Sequence, residues 1–202
     1  MVVQAGADAI GLVFYPPSPR YVTPERAGEL VSSLPPFVTV VGLFVNPQAE
    51  DITAVLKHAS LQMLQFHGDE TPAQCAALAA AVNIPFVKAY RVKPDTSAAD
   101  LLECERQFRI SSPLFRGLLL DTYADGYGGS GKVFDWSLIP KELAPRVVLS
   151  GGLSVQNVAG ALSQIRPFAV DISSGVELAK GIKDEEKVRA FISAVRQTDQ
   201  TY

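Results

Sequence analysis

The chain has 202 residues, 48% of them hydrophobic, and no proline-, glycine- or serine-rich linker divides it. It therefore reads as a single domain, 1–202, long enough for one sizeable core. Its 18 basic and 21 acidic residues are interspersed and leave a net charge of −3, which argues against a nucleic-acid surface or a polybasic membrane anchor and for a small-molecule partner.

In chain order, Met1–Gly6 reads as the tail of a helix closing on a glycine C-cap, without the basic leader of a signal peptide. Ala9–Phe14 is a strand, and Tyr15–Tyr21 is a proline-stiffened loop presenting Arg20. Pro24–Ser33 is a helix capped by Thr23, Val38–Val45 a strand and Ala49–His58 a helix. The strand Gln62–Phe66 runs into His67-Gly68-Asp69-Glu70. Thr71 caps the helix Pro72–Val82, with proline at its first position, where a missing N–H costs nothing. Pro85–Tyr90 is a strand, Ala98–Phe108 a helix, and Gly117–Leu120 a fully apolar strand ending at Asp121. The glycine-rich stretch Tyr123–Lys132 follows. Arg146–Leu149 and Phe168–Ile172 read as buried parallel strands, Val147–Leu149 and Ala169–Ile172 being their cores, each followed by a glycine-rich turn. Ser154 is the expected cap of a helix over Val155–Ile165, and Asp184–Arg196 is the last helix. No apolar run approaches membrane-spanning length. Cys75 and Cys104 fall in helical segments rather than in a disulfide or metal-binding framework, which fits a reducing cytoplasm.

The βα rhythm predicts a (β/α)8 TIM barrel, but only about seven strands are found where eight are needed. The deficit lies at the N-terminus, so the first strand and part of the first helix are expected to be missing from this chain. A doubly wound open sheet is the alternative, although no G-x-G-x-x-G follows an early strand. In either fold, ligands bind where strands end.

Polar residues gather at those strand ends. In Ser150-Gly151-Gly152 and Ser173-Ser174-Gly175, glycines let backbone N–H groups approach an anion, and the serines add hydroxyl donors. This pair of turns reads as a phosphate site. Asp121 leaves an apolar strand at the rim, where desolvation raises a carboxyl pKa and suits it to general-acid work. Arg20 offers a fork for a carboxylate or phosphate, or is a solvated surface arginine. His67 binds an oxyanion, moves a proton, orients a neighbour or simply packs at the rim. Asp171 binds a sugar hydroxyl or caps its loop. Asp69 and Glu70 are expected before the helix at Pro72, where negative charge favours the N-terminus. The glycines of Tyr123–Lys132 form a closing loop or a plain linker.

Taken together, these segments resemble the phosphoribosylanthranilate isomerase family: Ala5–Phe14, Ser18-Pro19-Arg20, Val41–Asn46, Leu64–Glu70, Leu119-Leu120-Asp121, Gly128–Lys132 with Phe134-Asp135-Trp136, Ser150–Leu153 with Asn157, and Val170–Glu177. The resemblance implies an Amadori rearrangement in tryptophan biosynthesis, on a phosphorylated small molecule, with no cofactor and no metal. It implies that Asp121 protonates the furanose ring oxygen, that Arg20 receives the anthranilate carboxylate, that the two glycine turns hold the phosphate, and that His67 and Asp171 lie near the substrate. The Ser18-Pro19-Arg20 and Phe66–Glu70 segments speak against related phosphosugar barrels such as indole-3-glycerol phosphate synthase.

One departure stands out. The family's general base is a cysteine in a Lys-Ile-Cys-Gly-like first strand, and no such segment occurs here. Cys75 and Cys104 lie in helices on the barrel's outside and do not replace it. The leading expectation is an isomerase whose first strand is missing from this chain. The alternative is a phosphosugar-binding barrel with little turnover. Open edges at Ala9–Phe14 and Ala169–Ile172 would favour self-association.

Overall fold

A computed structural model describes residues 1–123 and 133–200. The glycine-rich stretch therefore lies largely outside the described residues.

Parallel strands alternate with helices. In chain order these are α1 (Val2–Ala5), β1 (Ala9–Val13), α2 (Pro24–Ser32), β2 (Thr39–Phe44), α3 (Ala49–Leu56), β3 (Met63–Phe66), α4 (Pro72–Val82), β4 (Phe86–Val92), α5 (Ala98–Ser111), β5 (Phe115–Thr122), β6 (Val148–Leu149), α6 (Val158–Ile165), β7 (Ala169–Val170), β8 (Glu177–Ala179), β9 (Ile182–Lys183) and α7 (Glu185–Asp199). The hydrogen-bonded order of the main sheet is β1 through β7 without a reversal. A doubly wound sheet reverses its strand order at a switch point, so that alternative is excluded. Among the described residues no helix is long and apolar enough to cross a membrane.

Contacts group the chain into two compact units. The first comprises Ala7–Ala89 and Gln107–Arg116. Here β1 pairs with β2, β2 with β3 and β3 with β4, all parallel, and the register aligns Phe44, Phe66 and Lys88. Phe44, Phe66, Phe86, Ile52 and Leu64 are buried, and Phe86 meets Phe66 at 5.5 Å and Phe115 at 5.6 Å between ring centroids. Edge-to-face and offset aromatic contacts of this kind add to the burial that drives the fold. Two helices of this unit begin on side-chain caps: Thr23 Oγ1 accepts from Arg26 N, and Thr71 and Gln74 form a reciprocal capping box. Asn83, left-handed at φ 52°, ends α4.

The second unit comprises Met1–Gly6, Tyr90–Arg106 and Gly117–Tyr202. As expected, Gly6 closes α1 in the left-handed region at φ 106°. Leu118, Leu119, Leu120 and Leu149 are buried on this unit's strands, and Val147 is buried just before β6. Asp184 caps α7 by accepting from Lys187 N. Two expectations fail here. The helix expected from Val155 starts at Val158, and the residues before it form a turn in which Asn157 Oδ1 accepts from Ser154 N at 2.8 Å and Ser154 O accepts from Val158 N at 3.1 Å. Phe168, read as part of a buried run, is exposed just before the two-residue strand β7. The antiparallel hairpin of β8 and β9 was not foreseen.

Candidate functional site

In the second unit the register pairs Leu119 with Val148 and Val148 with Ala169, then Leu120 with Leu149 and Leu149 with Val170. One residue further along each chain come Asp121, Ser150 and Asp171. Ser150 N donates to Leu120 O and Asp171 N to Leu149 O, both at 2.8 Å, so the ladder reaches these positions. Parallel strands in register point matched residues the same way. A row of three polar residues therefore caps three apolar strands, and Ser150 Oγ donates to Asp171 Oδ2 at 3.0 Å.

Asp121 is half-buried, while Leu118, Leu119 and Leu120 before it are at most 2% exposed. Its Oδ1 accepts the N–H of Thr122 at 2.8 Å. Gly151, buried and left-handed at φ 79°, packs directly on this hydrogen bond. A Cβ there would lie closer than 3.0 Å to Thr122 N, Thr122 Oγ1 and Asp121 Oδ1. The turn glycine and the carboxylate are thus adjacent.

Gly152 is also left-handed, at φ 67°. The Gly151–Leu153 turn is braced by Asn157, whose Nδ2 donates to Gly152 O at 2.9 Å. The second turn packs on the first through Gly175, where a Cβ would collide with the Leu153 carbonyl oxygen. Ser174–Val176 form a single 3-10 turn preceded by Ser173. A cation missed in the sequence braces this turn: Lys183 Nζ donates to Ser173 O at 2.9 Å and to Glu177 Oε1 at 3.1 Å. Its signal was a lysine two residues after Gly181, in a segment to which no element was assigned.

In the first unit Arg20 is half-buried in a loop held at both ends. Ser18 Oγ accepts from Arg20 N at 3.1 Å, and Val22 N donates to Val13 O at 3.0 Å. His67 is fixed by its own N–H, which reaches Phe44 O at 2.8 Å, and by a 2.9 Å contact between its Nδ1 and Gln65 Nε2.

Glu70 stands just before α4, as expected, but its carboxylate finds partners other than the helix N-terminus. It turns inward and is buried. Its Oε1 accepts from Asn46 N at 2.7 Å and Gly68 N at 3.1 Å, and its Oε2 pairs with Lys88 Nζ at 3.1 Å. Lys88, overlooked within an apolar strand, also donates to Phe66 O, Gly68 O and Ala89 O. Two backbone N–H groups and the Lys88 ammonium hold the Glu70 carboxylate, while three backbone carbonyls and that carboxylate hold Lys88.

Cys75 is fully buried in α4, and burial, reinforced by the Glu70 charge and partly offset by Lys88, pushes its thiol up to about 12. Because the thiolate is the reactive form, Cys75 is expected to resist iodoacetamide at pH 8 in the folded protein and to react on unfolding. Mass spectrometry of the alkylated peptides reads this directly. Labelling of Cys75 at the rate of an exposed thiol would contradict its placement.

Among the described residues, no three His, Cys, Asp or Glu side chains gather in a way that could hold a metal ion.

Comparison with known proteins identifies a family. The family model described as N-(5'phosphoribosyl)anthranilate (PRA) isomerase matches residues 1–194. The N-(5'-phosphoribosyl)anthranilate isomerase of Herminiimonas arsenicoxydans is 66% identical over 197 residues, which is 98% of this chain and 87% of that protein. The crystal structure of phosphoribosyl anthranilate isomerase from Thermotoga maritima is 43% identical with a TM-score of 0.83, covering 97% of this chain and 91% of that one. A further phosphoribosyl anthranilate isomerase structure is a complex with reduced 1-(o-carboxyphenylamino)-1-deoxyribulose 5-phosphate. It is 40% identical, with a TM-score of 0.80 and the same two coverages, 97% and 91%.

Proposed function

Because this chain belongs to the N-(5'-phosphoribosyl)anthranilate isomerase family, with its (β/α)8 TIM-barrel fold, we propose that Asp121 is the general acid of that family's Amadori rearrangement. The reaction converts N-(5-phosphoribosyl)anthranilate to 1-(2-carboxyphenylamino)-1-deoxyribulose 5-phosphate in tryptophan biosynthesis. The observation that carries the assignment is the placement of Asp121 directly after the buried run Gly117–Leu120, with its carboxylate packed against Gly151.

Asp121 gives its proton to the furanose ring oxygen as the C1–O bond breaks, leaving a Schiff base between C1 and the aryl nitrogen. A base then removes the proton from C2. The resulting enolamine tautomerises to the C2 ketone, so the product is an isomer of the substrate and no electrons leave the system. The N–H groups around Gly151, Gly152, Ser173, Ser174 and Gly175 receive the phosphate, with the serine hydroxyls as added donors. Lys183, anchored on Ser173, contributes positive charge to the same turn. Asp171 and His67 contact the sugar portion. The biosynthetic role and the two cysteines, present as thiols, support a cytoplasmic setting.

Arg20 takes the anthranilate carboxylate in this reading. A planar guanidinium makes two parallel hydrogen bonds where an ammonium makes point contacts. Arg20→Lys is therefore expected to raise KM by about tenfold to hundredfold with a smaller effect on kcat, as for loss of a charge-assisted pair of about 1.5–3 kcal/mol. Calorimetric titration with the reduced product analogue should show the same loss, and an analogue without the carboxylate should bind wild type and variant equally. Equal discrimination by both proteins would remove Arg20 from this role.

A second reading has one observation in its favour. No Lys-Ile-Cys-Gly-like segment occurs among these 202 residues, so the alternative is a chain that binds the phosphorylated ligand and turns it over slowly.

A further inference from the structure

We propose that Lys88 and Glu70 are positioning residues for the isomerisation, clamping the backbone on both sides of His67 from the opposite face of the sheet. The proposal rests on the reading of His67 as a substrate-facing residue.

Strand periodicity sets the geometry. Gln65 and His67 share one face of β3 and its continuation, and Phe66 shares the other with Lys88, its register partner on β4. The side chain of Lys88 lies at 8% exposure and that of Glu70 at 3%. Lys88 Nζ holds the carbonyls of Phe66, at 3.3 Å, and Gly68, at 2.7 Å, which are the residues flanking His67. Glu70 Oε1 takes the N–H of Gly68, and also that of Asn46 just beyond β2. Asn46 Oδ1 in turn accepts from Asp69 N at 2.8 Å. Apart from the bond of Lys88 to Ala89 O on its own strand, these polar bonds end on the segment 66–70 or on Asn46 just beyond β2. On the other face of the strand, Gln65 Nε2 lies 2.9 Å from His67 Nδ1.

Packing alone does not call for this arrangement. Two ions withdrawn from water carry a large desolvation cost, and an apolar pair of similar volume is often as stable. Gly68 strengthens the point, because a Cβ there would run into Asn46 and the segment has no room to relax. What an apolar pair could not do is grip two carbonyls and two N–H groups at once. The clamp therefore fixes the direction in which residue 67 is presented.

The test uses the double variant Lys88→Met/Glu70→Leu, which removes both charges together, beside the single variant Lys88→Met, which strands a buried carboxylate and should melt well below wild type. The chain has only two histidines, so ring-nitrogen NMR resolves His67 from His58. The double variant is expected to melt close to wild type and to show shifted His67 ring signals with unchanged His58 signals. Its kcat/KM should fall tenfold to hundredfold, a loss that vanishes when the same pair is changed in a His67→Ala background. Wild-type His67 signals or wild-type kcat/KM in the double variant would overturn the proposal. A double variant that fails to fold would also overturn it, since the pair would then serve the fold itself. Wild-type kcat/KM in His67→Ala alone would retire the reading of His67, while the NMR comparison would still decide whether the clamp orients that ring.

Discussion

Asp121→Asn is expected to bind the reduced product analogue within a few-fold of wild type and to lower kcat by about a thousandfold. Asparagine keeps the shape of the side chain and can still accept the Thr122 N–H through its carbonyl oxygen. It cannot transfer a proton to the ring oxygen. General-acid catalysis is typically worth about 10²–10⁴ in rate, and a thousandfold loss corresponds to about 4 kcal/mol in the barrier. The split between binding and rate is the informative part, because a variant that merely damaged the rim would lose both. Initial rates measured by fluorescence, with calorimetric titration of the analogue on the same preparations, separate the two. A kcat within tenfold of wild type would remove the carboxyl from the proton-transfer step.

Gly151→Ala should cost nearly as much, though Gly151 carries no functional group. Its φ of 79° lies where an L-residue is strained by roughly 1–2 kcal/mol. The added methyl would also enter the hydrogen bond between Asp121 Oδ1 and Thr122 N. One of those atoms belongs to the backbone of β5 and cannot swing aside, so the carboxylate must move. A displacement near 1 Å can reduce catalysis about a hundredfold. We expect a kcat loss of that order or larger together with a lower Tm. Gly160→Ala is the control. Its Cβ would meet nothing within 4 Å, and it lies inside α6. Alanine in a helix interior is favoured over glycine by up to about 1 kcal/mol, so this change should raise Tm and leave kcat unchanged. Wild-type turnover by Gly151→Ala would mean that turn and acid are independent.

Which features were legible in the sequence follows from where their determinants lie. The span of α4 was read to the residue because Thr71, Pro72 and Gln74 form a local start signal and its end is also marked locally, by Asn83. The strands were legible as elements because buried parallel strands are apolar runs, and the order β1 to β7 then follows from the alternation. Local signals misled where a longer-range partner intervened. Glu70 has the position of a dipole partner, yet Lys88, eighteen residues later and on another strand, takes its charge. A lysine in the middle of Phe86–Val92 was the available clue, since a charge in an otherwise buried strand needs a partner.

At the candidate site, sequence singled out Asp121, Arg20, His67, Asp171 and the glycine turns as residues. It did not reveal that Gly151 touches the Asp121 carboxylate, because that contact depends on the register of β5 with β6. Nor did it find Lys183, which acts on Ser173 only because the β8–β9 hairpin folds back over the turn.

The central claim is that this chain uses Asp121 to open and isomerise a phosphoribosylated anthranilate. Its most direct test is the loss of substrate fluorescence when N-(5-phosphoribosyl)anthranilate is generated in situ and presented to these 202 residues. The account predicts enzyme-dependent decay, saturable in substrate and inhibited by the reduced product analogue. Unchanged fluorescence at a protein concentration where that analogue binds would contradict it, and would leave the chain as a binder of the phosphorylated ligand.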